Sequence, residues 1–464
     1  MFCPILYYNM PNMKRQRIKP FHKGISPIRI LPIGYLAVTL TGTLLLMLPI
    51  AAHGTPLGFF DALFTATSAS CVTGLVVVDT GTRFTFFGQA VLLLLIQLGG
   101  LGFMTAATLL FRAAKKRISL RSRMTLAEAY GEDRLQGIIA LCMRAVTYTF
   151  TIEGVGALLL SLRFIPQFGP KGIWYAVFHS ISAFCNAGFD LMGSYSSLTG
   201  YVSDPLVNFT VMALVTLGGI GFAVITEVLE RRSFRRLSMH AKVVLCGSAI
   251  LTFGGAALFL LFESANPTTL GSLNAGDKLM AALFQSVTCR TAGFNTVAQD
   301  TLTDAGKLTS TLLMLVGGSP AGTAGGVKVT TVAVLFLTGF ACIRNLQDTE
   351  IFGRRLSALT VRKALSLMLI FMGILLTFVA AILHAEQLCG TELTFIDILY
   401  ESTSALATVG LSLGLSGSGS LFSKILLCLM MYLGRAGIMT VALAIGGSSK
   451  ESPTRRPEGS ILIG

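Results

Sequence analysis

Apolar runs of bilayer-spanning length recur along the chain, separated by short polar stretches. A helix needs about 20 residues to span a bilayer. Five runs without a charged residue reach that length: 30–52, 84–111, 205–226, 243–262 and 364–383. Three further runs contain one or two charged residues: 135–162, 308–343 and 425–449. The pattern predicts eight spanning helices, two in each quarter of the chain.

Between the two helices of each quarter lies a shorter apolar segment that leads into a single glycine. These segments are 58–71, 172–185, 277–290 and 394–407, and they lead into Gly74, Gly188, Gly293 and Gly410. A second small-residue mark follows after 24 to 30 positions, at Gly99, Gly218, Gly317 and Gly434. Segments this short and this apolar are typical of re-entrant helices, because irregular backbone at membrane depth must face protein or water.

The repeated order of helix, short segment and helix predicts an all-α membrane protein with four M1-P-M2 repeats in one chain. The expected fold is a pseudo-fourfold cation pore with eight spanning helices and four re-entrant pore helices. Its expected divisions are a tail at 1–28, repeats at 29–112, 135–230, 240–343 and 363–449, cytoplasmic loops at 113–134, 231–239 and 344–362, and a tail at 450–464.

Composition agrees with this pattern, and the distribution of charge orients it. The chain is 53% hydrophobic and 12% charged, with a mean hydropathy of +0.72, values typical of multi-span membrane proteins. The tails and the loops between repeats hold 26 Lys and Arg against 9 Asp and Glu, whereas the segments inside the repeats hold 7 and 12. By the positive-inside rule, both termini are expected in the cytoplasm and the glycine segments outside. The net charge of +14 is therefore a topology signal, and no nucleic acid partner is expected.

Small residues before each glycine suit a segment whose backbone carbonyls face an ion. Glycine adopts backbone angles that other residues adopt poorly, and rings of carbonyls can replace the water around a cation. The candidate filter, with K⁺ bound through backbone carbonyls, comprises Val72, Thr73, Gly74, Asn186, Ala187, Gly188, Thr291, Ala292, Gly293, Thr408, Val409 and Gly410. Of the four segments, 408–410 is nearest to a potassium-channel filter.

Hydroxyl side chains recur at a fixed distance before the glycines. Ser68, Ser182 and Ser404 each lie six positions before their glycine. The third repeat departs from the pattern, with Val287 at that position and Ser286 one place earlier.

Residues 317–328 contain five glycines and one proline within twelve positions. Each glycine costs a helix about 1 kcal/mol and proline about 3 kcal/mol relative to alanine. The second helix of the third repeat is therefore expected to break here, beside a water-filled cavity. It is the only second helix expected to be strongly broken. Arg435 lies inside the corresponding helix of the fourth repeat, where a charge needs a polar cavity or a partner such as Glu401 or Glu153.

The chain resembles the Trk/Ktr/HKT superfamily of potassium transporters, and within it the KtrB-type membrane subunits, over roughly residues 29–448. The resemblance rests on segments 65–75, 185–190 and 290–295, on the run 317–328, and on Leu433-Gly434-Arg435-Ala436-Gly437. It implies that the four glycines are filter glycines, and that glycine at position 74 favours potassium over sodium. It also implies an intramembrane gate at Gly317, Gly318, Ser319, Pro320, Ala321, Gly322, Thr323, Ala324, Gly325, Gly326, Lys328 and Arg435.

The same resemblance implies where the protein works and with what. It suggests potassium uptake across the cytoplasmic membrane of a bacterium by a multi-pass, lipid-embedded homodimer, with sodium as a stimulator. A cytoplasmic ring of KtrA-type RCK subunits would regulate the pore. The chain itself has no convincing G-x-G-x-x-G fingerprint after a strand. A nucleotide (ATP, ADP or NAD) is therefore expected only on that partner, with no covalent cofactor here.

Three other function classes compete with a potassium pore. A membrane scaffold or receptor without transport does not explain four outward glycine segments. An ion-coupled secondary transporter of another cation or small solute would need paired broken helices and acidic residues on the transport path, and Glu153 is the only acidic residue within a predicted span. An enzyme is not expected, because the five histidines show no metal-binding or catalytic spacing.

Overall fold

The computed structural model describes residues 27–102, 104–105, 108–109, 120–130, 136–320, 322–391 and 393–438. Over these residues the chain is predominantly helical, as the sequence predicts. The tail at 450–464, nearly all of the tail at 1–28 and about half of the loop at 113–134 lie outside the described residues, as does Ala321.

The helices follow one another along the chain with short connections. The first two repeats and the loop between them contain α1 (Pro27–Leu46), α2 (Phe59–Ser70), α3 (Thr80–Arg83), α4 (Phe86–Leu101), α5 (Leu120–Tyr130), α6 (Ile138–Phe168), α7 (Lys171–Phe184), α8 (Pro205–Ile220) and α9 (Phe222–Arg231). The last two contain α10 (Met239–Glu263), α11 (Ala275–Thr288), α12 (Asp304–Leu315), α13 (Val329–Ile343), α14 (Ala358–Cys389), α15 (Phe395–Leu406), α16 (Leu415–Ser418) and α17 (Leu421–Ala436). Single 3₁₀ turns lie at Pro49–Ala51, Thr199–Tyr201 and Phe234–Arg236.

Polar residues fix where the second helix of each repeat begins. The side chains of Thr85, Asp204, Thr303 and Ser420 accept backbone N–H bonds from the first turns of α4, α8, α12 and α17. Such N-caps satisfy donors that a helix start otherwise leaves free, and each stabilises a helix by about 1 kcal/mol. The chain therefore enters all four helices at defined residues.

Within the part of the chain that the structure describes, four helices are long and apolar enough to span a membrane on their own: Arg29–Leu46, Ile138–Phe168, Met239–Glu263 and Ala358–Cys389. The bent pair Pro205–Ile220 and Phe222–Arg231 would make a fifth span, and Phe86–Leu101 and Val329–Ile343 are shorter apolar helices. The four long helices are the first helix of each repeat. The total of eight depends on counting the interrupted second helices as spans, and it stays a prediction.

The expectation that only one second helix is strongly broken is wrong. The axis bends by 97° between α8 and α9, at Gly221, whose φ is +94°. Helices α4 and α17 likewise end at glycines with positive φ, Gly102 and Gly437. The third repeat is interrupted between Leu315 and Val329. Uncharged sequence measures the length of an apolar segment, but one glycine with positive φ is enough to end its helix.

One short hairpin departs from the all-α prediction. Strand β1 (Glu350–Ile351) pairs antiparallel with β2 (Arg354–Arg355) in the loop between the third and fourth repeats. The two residues between them, Phe352 and Gly353, both have positive φ, as tight two-residue hairpins require.

The short helices form the centre of the molecule, and the long ones face outward. Phe64, Phe178, Phe284 and Tyr400, on α2, α7, α11 and α15, are at most 2% exposed. By contrast, Leu158 and Ile250 on long helices are each 70% exposed. Many other large apolar side chains on the long helices are exposed as well. An exposed apolar surface of that extent is unusual in a water-soluble protein, and it fits contact with lipid.

Candidate ion pathway

The four glycines predicted for the filter meet in a closed ring. A Cβ added at Gly74 would lie 2.5 Å from the carbonyl oxygen of Ala187, and one at Gly188 would lie 2.8 Å from that of Ala292. A Cβ at Gly293 would lie 2.6 Å from the carbonyl oxygen of Val409, and one at Gly410 would overlap that of Thr73. Each glycine thus faces the carbonyl before the next glycine in cyclic order. We call Gly74, Gly188, Gly293 and Gly410 the glycine ring.

The backbone around the ring has the same unusual conformation in all four repeats. The glycines have φ values of +96°, +68°, +81° and +96° in chain order. Two residues earlier, Val72, Asn186, Thr291 and Thr408 also have positive φ, between +53° and +70°. Positive φ at a non-glycine residue is uncommon, and it costs about 1–3 kcal/mol unless neighbours impose it. Four equivalent occurrences indicate one backbone shape built four times.

Side-chain hydroxyls hold this backbone against the short helices. Ser68 Oγ and Ser404 Oγ each accept the N–H of their ring glycine at 3.0 Å. Ser182 Oγ donates instead to the carbonyl of Phe189, the residue after Gly188, at 2.7 Å. The serines that recur six positions before the glycines therefore contact the ring segments directly.

In the third repeat the equivalent hydroxyl belongs to Thr288, which the sequence pattern missed. Thr288 Oγ1 donates to the carbonyl of Phe294, the residue after Gly293, as Ser182 does in the second repeat. The alternative candidate, Ser286, donates to the carbonyl of Thr252 on α10 at 2.8 Å. Thr288 lies five residues before its glycine, so the link from short helix to ring is one residue shorter here. Matching positions by counting back from the glycine therefore fails in this repeat alone.

A cavity of about 520 Å³ opens on one side of the ring, the side that the charge pattern predicts to be outside. All four ring glycines line it, together with Asp79, Asp190 and Asp300. Burial raises the pKa of Asp190 to about 7, with the Met192 N–H opposing the rise and Asp79 adding to it. A cation reaching the ring from this side therefore passes carboxylate groups.

The loop 317–328 lies against the C-terminal end of α8, on the side of the glycine ring where the short helices end. Its Ser319 and Thr323 donate backbone N–H bonds to the carbonyls of Gly219 and Gly218, at 2.8 and 3.1 Å. The last carbonyls of a helix lack partners within the helix. Because α8 ends at Gly221, the loop supplies the donors that these carbonyls need.

The same loop contacts the ring segments themselves. Thr323 Oγ1 lies 3.2 Å from Asn186 Oδ1 and 3.2 Å from the carbonyl of Phe184. Exchanging the amide O and N of Asn186 keeps that contact and adds an N–H bond from Asn186 to Val215 O. Gly325 packs so closely on Thr408 Oγ1 that an added Cβ would overlap it. The loop therefore covers the ring on the side opposite the cavity.

Arg435 joins the loop to another helix end. Its guanidinium donates to the carbonyls of Thr323 and Gly99, and to that of Gly100 at 3.3 Å. Gly99 and Gly100 are in the last turn of α4, whose carbonyls are free because the helix stops at Leu101. Lys328, at the end of the loop, donates to the carbonyl of Ala324 at 2.7 Å. Both basic residues thus hold the loop in place.

The partners considered for Arg435 in the sequence, Glu401 and Glu153, bind elsewhere. Glu401 accepts backbone N–H bonds from Leu413, Leu415 and Ser416. Glu153 accepts from Gln97 Nε2 at 3.2 and 3.3 Å. The arginine is therefore held by backbone carbonyls, which accept its hydrogen bonds without neutralising its charge.

Comparison with known proteins agrees with this architecture. The family model described as "TrkH: Cation transport protein" matches residues 26–452. The chain belongs to the TrkH family of cation transport proteins. The resemblance seen in the sequence is thereby confirmed, and the family is one of transporters, not of enzymes.

Relatives of known name match along almost the whole chain. "Ktr system potassium uptake protein B" of Bacillus subtilis is 40% identical over 95% of this chain and 97% of its own. The protein of the same name from Vibrio alginolyticus is 38% identical over 98% of both chains. "Potassium/sodium uptake protein NtpJ" of Enterococcus hirae is 37% identical over 96% of this chain and 99% of its own.

A solved structure in the family has the same fold. The crystal structure of the potassium transporter TrkH from Vibrio parahaemolyticus superposes with a TM-score of 0.72, over 91% of this chain and 86% of that one. Sequence identity is 16%, so the likeness concerns the fold alone.

In this TrkH-family chain, the glycines that lie 24 to 30 positions after the ring glycines have a packing role. A Cβ at Gly99, Gly218 or Gly434 would overlap the carbonyl oxygens of Ser70, Phe184 and Leu406 respectively. These are the last residues of α2, α7 and α15. The second helices thus approach the short helices closely enough that only glycine fits. In the third repeat, Gly317 instead packs on the carbonyl of Gly325 within the loop.

Arg290, the one charged residue beside a ring segment in the third repeat, points away from the ring. It donates to the carbonyl of Ser248 at 2.7 Å and to Thr252 Oγ1 at 3.0 Å, both on α10. A guanidinium this close to the ring would repel a cation. Its contacts with α10 hold it away from the ring glycines and anchor the segment before Gly293.

Proposed function

We propose that this chain takes up potassium as the channel-like, ion-translocating subunit of a Ktr-type system. The observation that carries the proposal is the glycine ring, in which four equivalent backbone segments from one chain enclose a single site. The printed names of the Bacillus and Vibrio relatives, which are potassium uptake proteins, support potassium as the substrate.

In this proposal the ring segments form a selectivity filter, with the pore at the centre of four M1-P-M2 repeats. Potassium loses its water to a succession of carbonyl oxygens at 72–74, 186–188, 291–293 and 408–410. Such exchange works when the carbonyls are already in position, because the protein then spends no free energy on arranging them as the ion arrives. The hydroxyls of Ser68, Ser182, Thr288 and Ser404 supply that preorganisation.

The gate in this proposal is the loop 317–328 together with Arg435. The loop lies directly on filter residues Asn186 and Thr408, so it blocks the path in the conformation described. Its Ser319 and Thr323 N–H groups bind two carbonyls of the interrupted helix α8, and its Thr323 carbonyl accepts a bond from the Arg435 guanidinium. Moving the loop therefore requires that these few bonds break together, a suitable basis for two distinct states.

We place the protein in the cytoplasmic membrane of a bacterium as a homodimer, with both termini in the cytoplasm. The words "Ktr system" in the relatives' names support a second component. We propose that this component is a KtrA-type RCK ring that binds the nucleotide and moves the gate from the cytoplasmic side. Sodium, which appears in the name of the Enterococcus relative, is proposed as a modulator.

Growth of a potassium-uptake-deficient bacterium on low potassium tests the proposal. The parent chain should restore growth, and Gly74→Ser should restore it poorly, because a Cβ there meets the carbonyl of Ala187 at 2.5 Å. Gly373→Ser is the matched control, since nothing lies within 4 Å of that position. Expression of each variant is measured alongside. Failure of the parent to restore growth, even with a KtrA-type partner, would count against potassium uptake.

One observation favours the alternative, an ion-coupled secondary transporter. The second helices of the second and third repeats are both interrupted, as broken-helix transporters require. The two mechanisms differ in what drives flux. In proteoliposomes, a channel-like subunit should carry ⁸⁶Rb⁺ down its own gradient alone, whereas a coupled transporter should need the gradient of a second ion.

A further inference from the structure

One position on each short helix follows directly after its buried aromatic residue. The aromatics Phe64, Phe178 and Tyr400 lie ten residues before their ring glycine, and Phe284 lies nine before, in keeping with the shorter link of the third repeat. The next residue in each helix is Thr65, His179, Gln285 or Glu401. We call these four residues the anchor positions. All are at most 2% exposed, and three of them reach the segment that follows the ring glycine.

Glu401 makes the strongest of these contacts. Its Oε2 accepts the backbone N–H groups of Leu413 and Leu415, each at 3.0 Å, and its Oε1 accepts that of Ser416 at 2.5 Å. All three residues follow Gly410, and Leu413 and Ser416 line the cavity above the ring. Hydrogen bonds to a carboxylate are roughly twice as strong as those between neutral groups. One buried carboxylate thus fixes the outer wall of the fourth filter segment.

Gln285 makes the equivalent contact in the third repeat through a pair of amides. Its Nε2 donates to Gln299 Oε1 at 2.7 Å, and Gln299 Nε2 donates back to Gln285 Oε1 at 3.0 Å. Gln299 lies six residues after Gly293 and also lines the cavity. The hydroxyl of Tyr400 donates to the same Gln299 Oε1 at 2.9 Å. Helix α15 therefore supports two neighbouring filter segments, its own through Glu401 and the preceding one through Tyr400.

His179 occupies the anchor position of the second repeat. Its Nδ1 lies 2.7 Å from the carbonyl of Tyr175, and its Nε2 accepts the N–H of Leu191 at 3.4 Å. Leu191 lies three residues after Gly188 and directly after Asp190, which lines the cavity. The contact is longer than the other two and involves a single N–H.

The first repeat is the exception. Thr65 Oγ1 donates to the carbonyl of Asp61 in its own helix at 2.8 Å. Among the contacts described, none joins Thr65 to the segment after Gly74. That segment is approached from outside by the hydroxyl of Tyr195, 3.4 Å from the carbonyl of Val77. The segments that follow the four ring glycines are thus held unequally. The fourth is held by a carboxylate, the third by an amide pair and the second by an imidazole, whereas the first is not reached from its anchor position.

We propose that Glu401, Gln285 and His179 are positioning residues that set how strongly the pore prefers potassium to sodium. The inference rests on the proposed function. Each anchor ties the residues after a ring glycine to the short helix, while the Ser or Thr hydroxyl holds the glycine itself or the residue directly after it. With both contacts in place, the carbonyls cannot close around the smaller sodium ion. Without its anchor, a segment is free to move and its carbonyls can close around sodium, although no group that contacts the ion has been changed.

The test is the ratio of potassium to sodium uptake in cells and in proteoliposomes for four variants. Glu401→Gln keeps the size of the side chain but places an amide N–H₂ against backbone N–H groups. Gln285→Met keeps the length and removes the amide pair. Tyr400→Phe removes one hydroxyl and gives the residue type that the other three repeats already have. Thr65→Val is the matched control at the anchor position that reaches no filter segment.

We expect the potassium-to-sodium ratio to fall about tenfold in Glu401→Gln, since the loss of a buried charge-assisted contact commonly changes an equilibrium by that factor. Gln285→Met should lower it by a smaller factor, Tyr400→Phe by less again, and Thr65→Val should leave it unchanged. A merely structural role predicts lower expression or total flux with an unchanged ratio. If Glu401→Gln does not fold, Gln285→Met and Tyr400→Phe decide the question.

The outcomes separate this inference from the proposed function. If the parent chain shows no potassium preference, the proposed function fails. If the parent prefers potassium and Gln285→Met and Tyr400→Phe keep its ratio, the proposed function stands and the anchors are overturned. An equal fall in Thr65→Val would also overturn them, because the effect would then not depend on reaching the filter segment.

Discussion

The second helices of the second and third repeats are interrupted at the same level but in different ways. In the second repeat a single residue, Gly221, separates α8 from α9, and the axis turns by 97°. In the third repeat all the described residues between Leu315 and Val329 are non-helical. The short break leaves carbonyls of α8 without helical partners, and the long break supplies the N–H groups that pair with them. The two interruptions therefore form one contact, in which α8 provides the carbonyl acceptors and the loop provides the N–H donors.

Shortening the long break should have the largest effect. Deleting 319–324 removes both N–H donors to α8 and the acceptor at Thr323. Each such bond contributes about 1 kcal/mol, so potassium flux should rise by about an order of magnitude. ⁸⁶Rb⁺ uptake per molecule of protein in the membrane measures it. Flux at background with normal folding would mean that the loop is a structural element and not a barrier.

Removing the guanidinium that joins the loop to α4 should have the next largest effect. Arg435→Ala should raise potassium flux about fivefold, since its bonds to Thr323, Gly99 and Gly100 are lost along with a positive charge on the ion path. Arg435→Lys keeps the charge but cannot span both carbonyl sites. Concentration-dependent uptake compares the two variants. Equal flux in both would indicate that geometry matters more than charge.

Altering the short break should act on stability first. Gly221→Ala places a side chain at a φ of +94°, with its Cβ 2.7 Å from the carbonyl of Pro320. We expect a loss of about 1–3 kcal/mol in stability, seen as a lower Tm in detergent. Flux should rise only about twofold, because the bonds of the loop to Gly218 and Gly219 remain.

Gly373→Ala is the control for that variant. It lies inside α14 with nothing within 4 Å, and alanine favours a helix over glycine by about 1 kcal/mol. Its Tm should stay level or rise. A similar fall in Tm for both variants would remove the special role of the break at Gly221.

Acidifying the outside should have the smallest effect. The raised pKa of Asp190, about 7, means that the carboxylate is charged at pH 8 and mostly neutral at pH 6. The KM for potassium should therefore rise about twofold between pH 8 and pH 6, as the cavity loses one negative charge. Asp190→Asn should have the higher KM at both pH values. A pH response that persists in Asp190→Asn would assign the titration to another group.

The positions of the ring glycines could be predicted from the sequence because each depends on the backbone conformation of that residue alone. A residue that must adopt positive φ against a neighbouring backbone leaves a glycine, and four such glycines between apolar runs form a visible pattern. The loop was visible for the same reason, since five glycines and a proline are incompatible with a continuous helix. Both predictions depend on residue type and spacing alone.

The features that the sequence did not reveal depend on contacts between distant segments. The break at Gly221 rests on one glycine within 205–226, which the apolar pattern predicts as an unbroken span. Thr288 was missed because the third repeat is one residue shorter, which only its bond to Phe294 makes evident. The arginine at 435 was expected beside the loop, yet its partners proved to be backbone carbonyls, which have no sequence signature.

The cyclic order of the glycine ring sets when the ring can close during synthesis. Gly410 closes the ring on Thr73, and the two ring glycines involved, Gly74 and Gly410, lie 336 positions apart. A ribosome adding about 5–20 residues per second needs roughly 17–70 s to make that stretch. For all of this time the nascent chain holds at most three of the four walls of the site. The last wall is followed within 25 positions by Arg435, so the residue that joins the loop to α4 is synthesised shortly after the ring is complete.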